Sequence, residues 1–229
     1  YSERSKNTLA ISSIEISESD TSVEQAPVLD SRLPFNLIYF GAPGTGKSYQ
    51  LGLRAEKEFS CYEGGITRVT FHPDYTYAQF VGCYKPISAI DVEGKHEVYY
   101  DFTPGPFVDV LVKAMKHPDS KYVLLIEEIN RANPAAVFGD VFQLLDRNGS
   151  GQSEYPIRVS QDLGKYLYHA FKRRRVDEGD ADVLKDLECS EKCVDSIIIP
   201  SNMYLWATMN SADPVSYTHL RAHETLMNL

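Results

Sequence analysis

Three short stretches of this 229-residue chain carry residue types at spacings that could do chemistry. The first, Gly41-Ala42-Pro43-Gly44-Thr45-Gly46-Lys47-Ser48, fits the pattern G-x-x-x-x-G-K-[S/T]. Glycines let successive backbone N–H groups converge on phosphate oxygens, and a helix starting at the loop adds its partial positive charge. A nucleotide cradled by Gly41 to Ser48 would meet Lys47 at its β- and γ-phosphates, with the Ser48 hydroxyl on Mg2+. The second stretch, Tyr122-Val123-Leu124-Leu125-Ile126-Glu127-Glu128, is an apolar strand that delivers two acids at its C-terminal end. Glu127 is expected to hold the Mg2+ shell and Glu128 to polarise an attacking water. The third, Trp206-Ala207-Thr208-Met209-Asn210, ends a strand in an amide that could orient that water near the γ-phosphate. Two acids or an asparagine at a strand end say little alone. Following a phosphate loop, in this order, they read as one hydrolytic centre.

Such a centre needs a parallel sheet whose strand ends converge, and the chain supplies the parts. Asn36 to Phe40 is a short apolar run closed by Gly41, as a buried parallel strand requires. Ser48 to Phe59 has helical spacing, with Leu51, Leu53, Ala55 and Phe59 free to pack. Ile66 to Phe71 reads as a second strand and Val98-Tyr99-Tyr100 as part of a hairpin. Pro104 to Lys116 opens with Pro and Gly and continues as an amphipathic helix. Pro134 suits a first helical turn, and Val137 to Leu145 carries that helix on to Asn148-Gly149-Ser150-Gly151. Residues 147–196 hold a polar, charged insertion expected to form a helix or hairpin. Ile197-Ile198-Ile199-Pro200 then leads into a strand from Met203 to Asn210. Strands alternating with helices predict an α/β fold, a three-layer α/β/α core on a parallel sheet.

Composition bounds the rest. Lys and Arg number 23 against 32 Asp and Glu, a formal charge of −9. That balance argues against a direct grip on nucleic acid, which rests on clustered cations. The one dense basic run, Lys172-Arg173-Arg174-Arg175, is followed at once by acids and reads as a solvated face. No apolar run approaches the roughly 20 residues of a membrane helix. Four scattered cysteines imply reduced thiols and a cytoplasmic setting. Cys189 and Cys193 could share a helix face, but no further ligand for a metal stands close by. Residues 1–33, rich in Ser, Thr and Glu, read as a disordered linker. The chain opens on Tyr1 and reads as a piece of a longer one.

In this order the three stretches resemble the AAA+ superfamily, in its dynein- and MoxR-like branch. Closer still, the chain resembles McrB-type subunits of modification-dependent restriction systems. Phe71-His72-Pro73-Asp74-Tyr75-Thr76-Tyr77-Ala78-Gln79-Phe80-Val81-Gly82 carries that likeness, with Glu127-Glu128-Ile129-Asn130-Arg131-Ala132-Asn133 and Thr208-Met209-Asn210-Ser211-Ala212-Asp213. The resemblance covers residues 34–213 apart from the insertion. It implies GTP, or in the wider superfamily ATP, as substrate with Mg2+, and assembly into a homo-hexamer. It also implies a McrC-type endonuclease partner, with DNA reached only through a separate N-terminal domain. Asp213 joins the hydrolytic motif on the same ground, and Arg131 would face a neighbouring subunit. Tyr75, Tyr77 and Phe80 are expected to pack.

The likeness departs in two places. The first acid is Glu127 where many superfamily members carry Asp. The arginine finger and helical lid expected after the asparagine-bearing strand are not legible in the residues that follow Asp213, and residues 214–229 read as a non-native tail resembling sequencing-adapter read-through. Two alternatives stay open: an ATPase that remodels proteins, and a nucleotide-binding scaffold without turnover.

Overall fold

The computed structural model describes residues 10–13, 33–90, 96–172, 183–185, 187–190 and 192–211. In chain order the elements are β1 (Ala10–Ser13), β2 (Asn36–Gly41), α1 (Lys47–Phe59), β3 (Ile66–Thr70), α2 (Tyr77–Phe80), β4 (Gly82–Ile90), β5 (His96–Pro104) and α3 (Pro106–Lys116). There follow β6 (Tyr122–Glu127), α4 (Pro134–Phe138), β7 (Ile157–Arg158), α5 (Gln161–Lys172), β8 (Cys189–Ser190), β9 (Cys193–Val194), β10 (Ser196–Ile197) and β11 (Met203–Asn210).

Five strands form one parallel sheet in the order β1-β2-β11-β6-β3. The two central strands, β6 and β11, are buried along almost their whole length, which is why both read as unbroken apolar runs. Alternation along them feeds two cores. On one face Leu37, Val123, Leu125, Tyr204 and Trp206 pack against Leu51, Ala55 and Phe59 of α1. Trp206 is fully buried, meets Phe59 edge-on at 5.3 Å, and donates from Nε1 to the Pro34 carbonyl at 2.8 Å. On the other face Leu124, Ile126, Leu205 and Ala207 join α3 and an aromatic group of Phe71, Phe80, Phe107 and Phe138. Helices on both faces of a parallel sheet make the three-layer α/β/α architecture expected from the sequence.

Several expectations are sharpened or corrected. The helix expected from Pro134 to Leu145 breaks early. α4 stops at Phe138, Gly139 turns with φ 50, and Gly139–Leu145 continues as a tighter 3-10 helix. A positive φ cannot be absorbed within an α-helix, and the Tyr77 ring lies 3.2 Å from where a Cβ on Gly139 would stand. Cys189 and Cys193 share no helix face. They sit on the two arms of the β8–β9 hairpin, where Lys192 takes φ 64 at the turn, and all four cysteines are free thiols. The insertion holds both a helix, α5, and this hairpin. Arg147 roots it: the residue is 4% exposed, and its guanidinium donates to the carbonyls of Gly151 (3.2 Å), Ile199 (3.2 Å) and Met203 (3.0 Å). Burial pulls the Arg147 pKa down to about 10.

Within the stretch expected as linker, Ala10–Ser13 forms the edge strand β1, parallel to β2. Residues 1–9 and 14–32, Arg173 to Arg175 of the basic run, Asp213, and residues 214–229 lie outside the described residues. Of the three aromatics expected to pack, Phe80 is fully buried and Tyr75 stacks on Phe71 at 4.6 Å, whereas Tyr77 is 41% exposed. No helix among the described residues is long and apolar enough to cross a membrane.

Candidate functional site

The loop between β2 and α1 is where sequence and backbone agree most closely. Gly44 (φ 80) and Gly46 (φ 78) both take left-handed conformations. A Cβ on either would meet nothing within 4 Å, so backbone geometry, not space, requires glycine there. Gly46 caps α1, whose first internal hydrogen bond runs from the Gln50 N–H to the Gly46 carbonyl at 2.9 Å. No acid stands in the first turn of α1, so the positive end of its dipole is left for an anion. Lys47 is 7% exposed, and its Nζ donates to the carbonyls of Gly41 (3.0 Å) and Ala42 (2.6 Å), holding the ammonium inside the turn.

The parallel register brings the strand ends to this loop. Asn210 on β11 pairs with Gly41, and Thr70 on β3 pairs with Glu127 on β6. Glu127, 7% exposed, divides its two oxygens between different partners. Oε2 accepts from the Ser48 hydroxyl at 2.6 Å and from the Thr208 hydroxyl at 2.6 Å, while Oε1 accepts from Arg68 Nη1 at 3.0 Å. The next residue, Glu128, takes φ 56 and ψ 46, a left-handed conformation that a non-glycine residue adopts at a cost of about 1–2 kcal/mol. Its N–H donates to Thr208 Oγ1 at 3.1 Å, and its Oε2 accepts from Asn210 Nδ2. Arg131 Nε stands 3.7 Å from the same oxygen. Asn130 locks the end of β11 from the side: its amide donates to the Asn210 carbonyl at 2.9 Å and accepts from the Asn210 N–H at 3.3 Å.

A cleft of about 490 Å³ opens over these groups, lined by Pro43, Gly44, Gly46, Lys47, Ser48, Tyr49, Glu128, Arg131 and Asn210. A larger cleft of about 600 Å³ lies in the insertion beside Arg158, Lys165 and Glu188, and holds none of the expected site residues. Chemistry decides between them, since only the smaller cleft joins a phosphate loop to acids and an amide. The structure thus brings together Gly41 to Ser48, Glu127, Glu128 and Asn210. Sequence reading passed over Thr208, which links the two acids, and Asn130, Arg68 and Tyr49. Thr208 lay in plain sight two residues before Asn210 on an otherwise apolar strand. Arg68 gave no local signal, because its partner is 59 residues away.

A phosphate loop at the head of a parallel α/β sheet, with acids and an amide on the adjoining strand ends, defines a P-loop NTPase. Residues 36–222 match the AAA domain (dynein-related subfamily), and the chain belongs to that family. It is 42% identical over 198 residues to the type II restriction enzyme BsuMI component YdiS of Bacillus subtilis (strain 168), covering 79% of this chain and 52% of that protein. It is 26% identical over 184 residues to the type IV methyl-directed restriction enzyme EcoKMcrB subunit of Escherichia coli (strain K12), covering 78% and 31%. The chain therefore spans about half or less of the curated relatives it matches. A solved structure from Cytophaga hutchinsonii aligns over 78% of the chain at 16% identity and a TM-score of 0.34, too low to carry an argument.

Proposed function

We propose that this domain binds and hydrolyses a nucleoside triphosphate with Mg2+, GTP in preference to ATP, as the motor subunit of a restriction complex that cuts modified DNA. One observation carries the hydrolytic part. Ser48 and Thr208 converge on a single oxygen of Glu127, and Glu128 is held beside them by Asn210. Similarity to two restriction-enzyme components supports the restriction setting, and the likeness to the modification-dependent systems supports GTP.

The donor set fits Mg2+. A hydroxyl and a carboxylate oxygen are hard ligands, and no cluster of three or more His, Cys, Asp or Glu stands among the described residues to form a closed protein cage. That is the usual arrangement for an ion bound through one or two side chains and the substrate's own phosphates, with Ser48 and Glu127 as its protein contacts. When bound, the ion would neutralise charge on the phosphates. The chain's own groups do the rest. Backbone N–H groups of Gly44 to Ser48 hold the phosphates, and Lys47 exchanges its loop carbonyls for phosphate oxygens. Glu128 accepts the proton of the attacking water, and Asn210 fixes the Glu128 carboxylate in place. Asp213 is assigned to the same centre by resemblance. Assembly into a homo-hexamer with a McrC-type endonuclease, and DNA contact through a separate N-terminal domain, belong to the same proposal.

Steady-state hydrolysis of GTP and of ATP by the wild-type chain and by Glu128→Gln tests it. Faster GTP turnover, lost in Glu128→Gln while nucleotide binding persists, is expected. Faster ATP turnover would overturn the GTP preference and move the reading to a protein-remodelling ATPase. Equal turnover in Glu128→Gln would remove Glu128 from the mechanism.

A further inference from the structure

Resting on the nucleotide–Mg2+ reading above, we propose that Arg68 is a positioning residue for Glu127, setting which carboxylate oxygen faces the metal side of the site. Three observations carry it. Arg68 Nη1 donates to Glu127 Oε1 at 3.0 Å, while Oε2 takes both hydroxyls, from Ser48 and Thr208. The two residues lie on one face of neighbouring parallel strands, Arg68 opposite Leu125 and Thr70 opposite Glu127, so Arg68 reaches forward along the sheet to the acid. The helix above makes room for it. A Cβ on Gly52 of α1 would come within 2.9 Å of Arg68 Nη2 and meets no other residue's atoms within 4 Å.

The physical need is clear from the side chain itself. The terminal torsion of a glutamate is broad and nearly two-fold, so a carboxylate held on one oxygen alone can rotate. The guanidinium occupies Oε1 and leaves Oε2 as the oxygen presented to Ser48. The Arg68 side chain is 46% exposed and that of Glu127 only 10%. An ion pair so exposed on one side contributes little to stability, so its effect belongs at the acid it orients. Partners of this kind, behind a metal ligand, change metal affinity by about ten- to a hundredfold when removed.

The test measures affinity for a fluorescent nucleoside triphosphate as a function of Mg2+ concentration, with a second arm in EDTA. Arg68→Met should raise the Mg2+ concentration for half-maximal binding about tenfold and leave affinity in EDTA unchanged. Gly52→Ala keeps the charge but pushes the guanidinium aside, so it should raise the Mg2+ requirement in the same direction without lowering the melting temperature. Arg68→Lys should recover part of the loss. An unchanged or lowered Mg2+ requirement in Arg68→Met, with wild-type binding intact, overturns the proposal alone. Wild-type protein that binds no nucleotide in either arm brings down the proposal and the function it rests on together.

Discussion

Thr208→Val is the perturbation whose size can be worked most directly from the structure. Thr208 is 1% exposed, and its hydroxyl touches both acids: it donates to Glu127 Oε2 at 2.6 Å and accepts from the Glu128 N–H at 3.1 Å. Valine has nearly the same shape, so no cavity term enters. The lost hydrogen bond to a carboxylate contributes about 2 kcal/mol, and the orphaned, part-buried N–H costs about 1–3 kcal/mol. Glu127 keeps Ser48 and Arg68, which argues for the lower part of that sum, about 3 kcal/mol. For a domain of this size that lowers the melting temperature by about 9 °C. The Glu128 backbone loses its tether as well, and a displacement of about 1 Å at a catalytic carboxylate lowers turnover about a hundredfold. Thermal melting and nucleotide hydrolysis, run beside Thr208→Ser, read both effects. The serine variant keeps the hydroxyl and should lose only about 1 kcal/mol with its methyl. A valine variant that melts within about 2 °C of wild type and turns over normally would refute the reasoning.

Two further outcomes follow from the same geometry. Asn210→Ala removes the amide that holds Glu128 and should lower hydrolysis about a hundredfold with nucleotide affinity within about threefold, which a paired binding and turnover assay reads. Arg147→Met takes the guanidinium from the carbonyls of Gly151 and Met203 and leaves that of Ile199 with the Ser153 N–H alone, and should destabilise the chain by about 3 kcal/mol in urea unfolding while the nucleotide affinity of the folded protein is unchanged.

How much of this was legible depends on where each residue's partner lies. The phosphate loop was readable outright, because Gly44, Gly46, Lys47 and Ser48 act through local backbone geometry fixed by consecutive residues. Both central strands were readable because burial on two faces leaves an unbroken apolar run at Tyr122–Ile126 and Met203–Ala207. Thr208, Asn130 and Arg68 were not read, since their function arises only when the parallel register sets β11, β6 and β3 side by side. The helix beyond Phe138 was overextended because apolar periodicity runs straight across Gly139, and that periodicity outweighed the glycine that marks the break. Cys189 and Cys193 were misplaced for the converse reason. A spacing of four suits a helix, yet Lys192 adopts a left-handed turn that closes a hairpin instead. For Thr208, Asn130 and Arg68 the missing term was tertiary, and for Gly139 and Lys192 it was a local left-handed turn.

The most direct measurement is a calorimetric titration of the chain with Mg-GTP and with Mg-ATP, repeated on Lys47→Ala. Saturable one-to-one binding by the wild-type chain, tighter for GTP and abolished in Lys47→Ala, is the expected result. Binding that survives in Lys47→Ala, or a wild-type chain that takes up neither nucleotide, would contradict a phosphate site at Gly41 to Ser48.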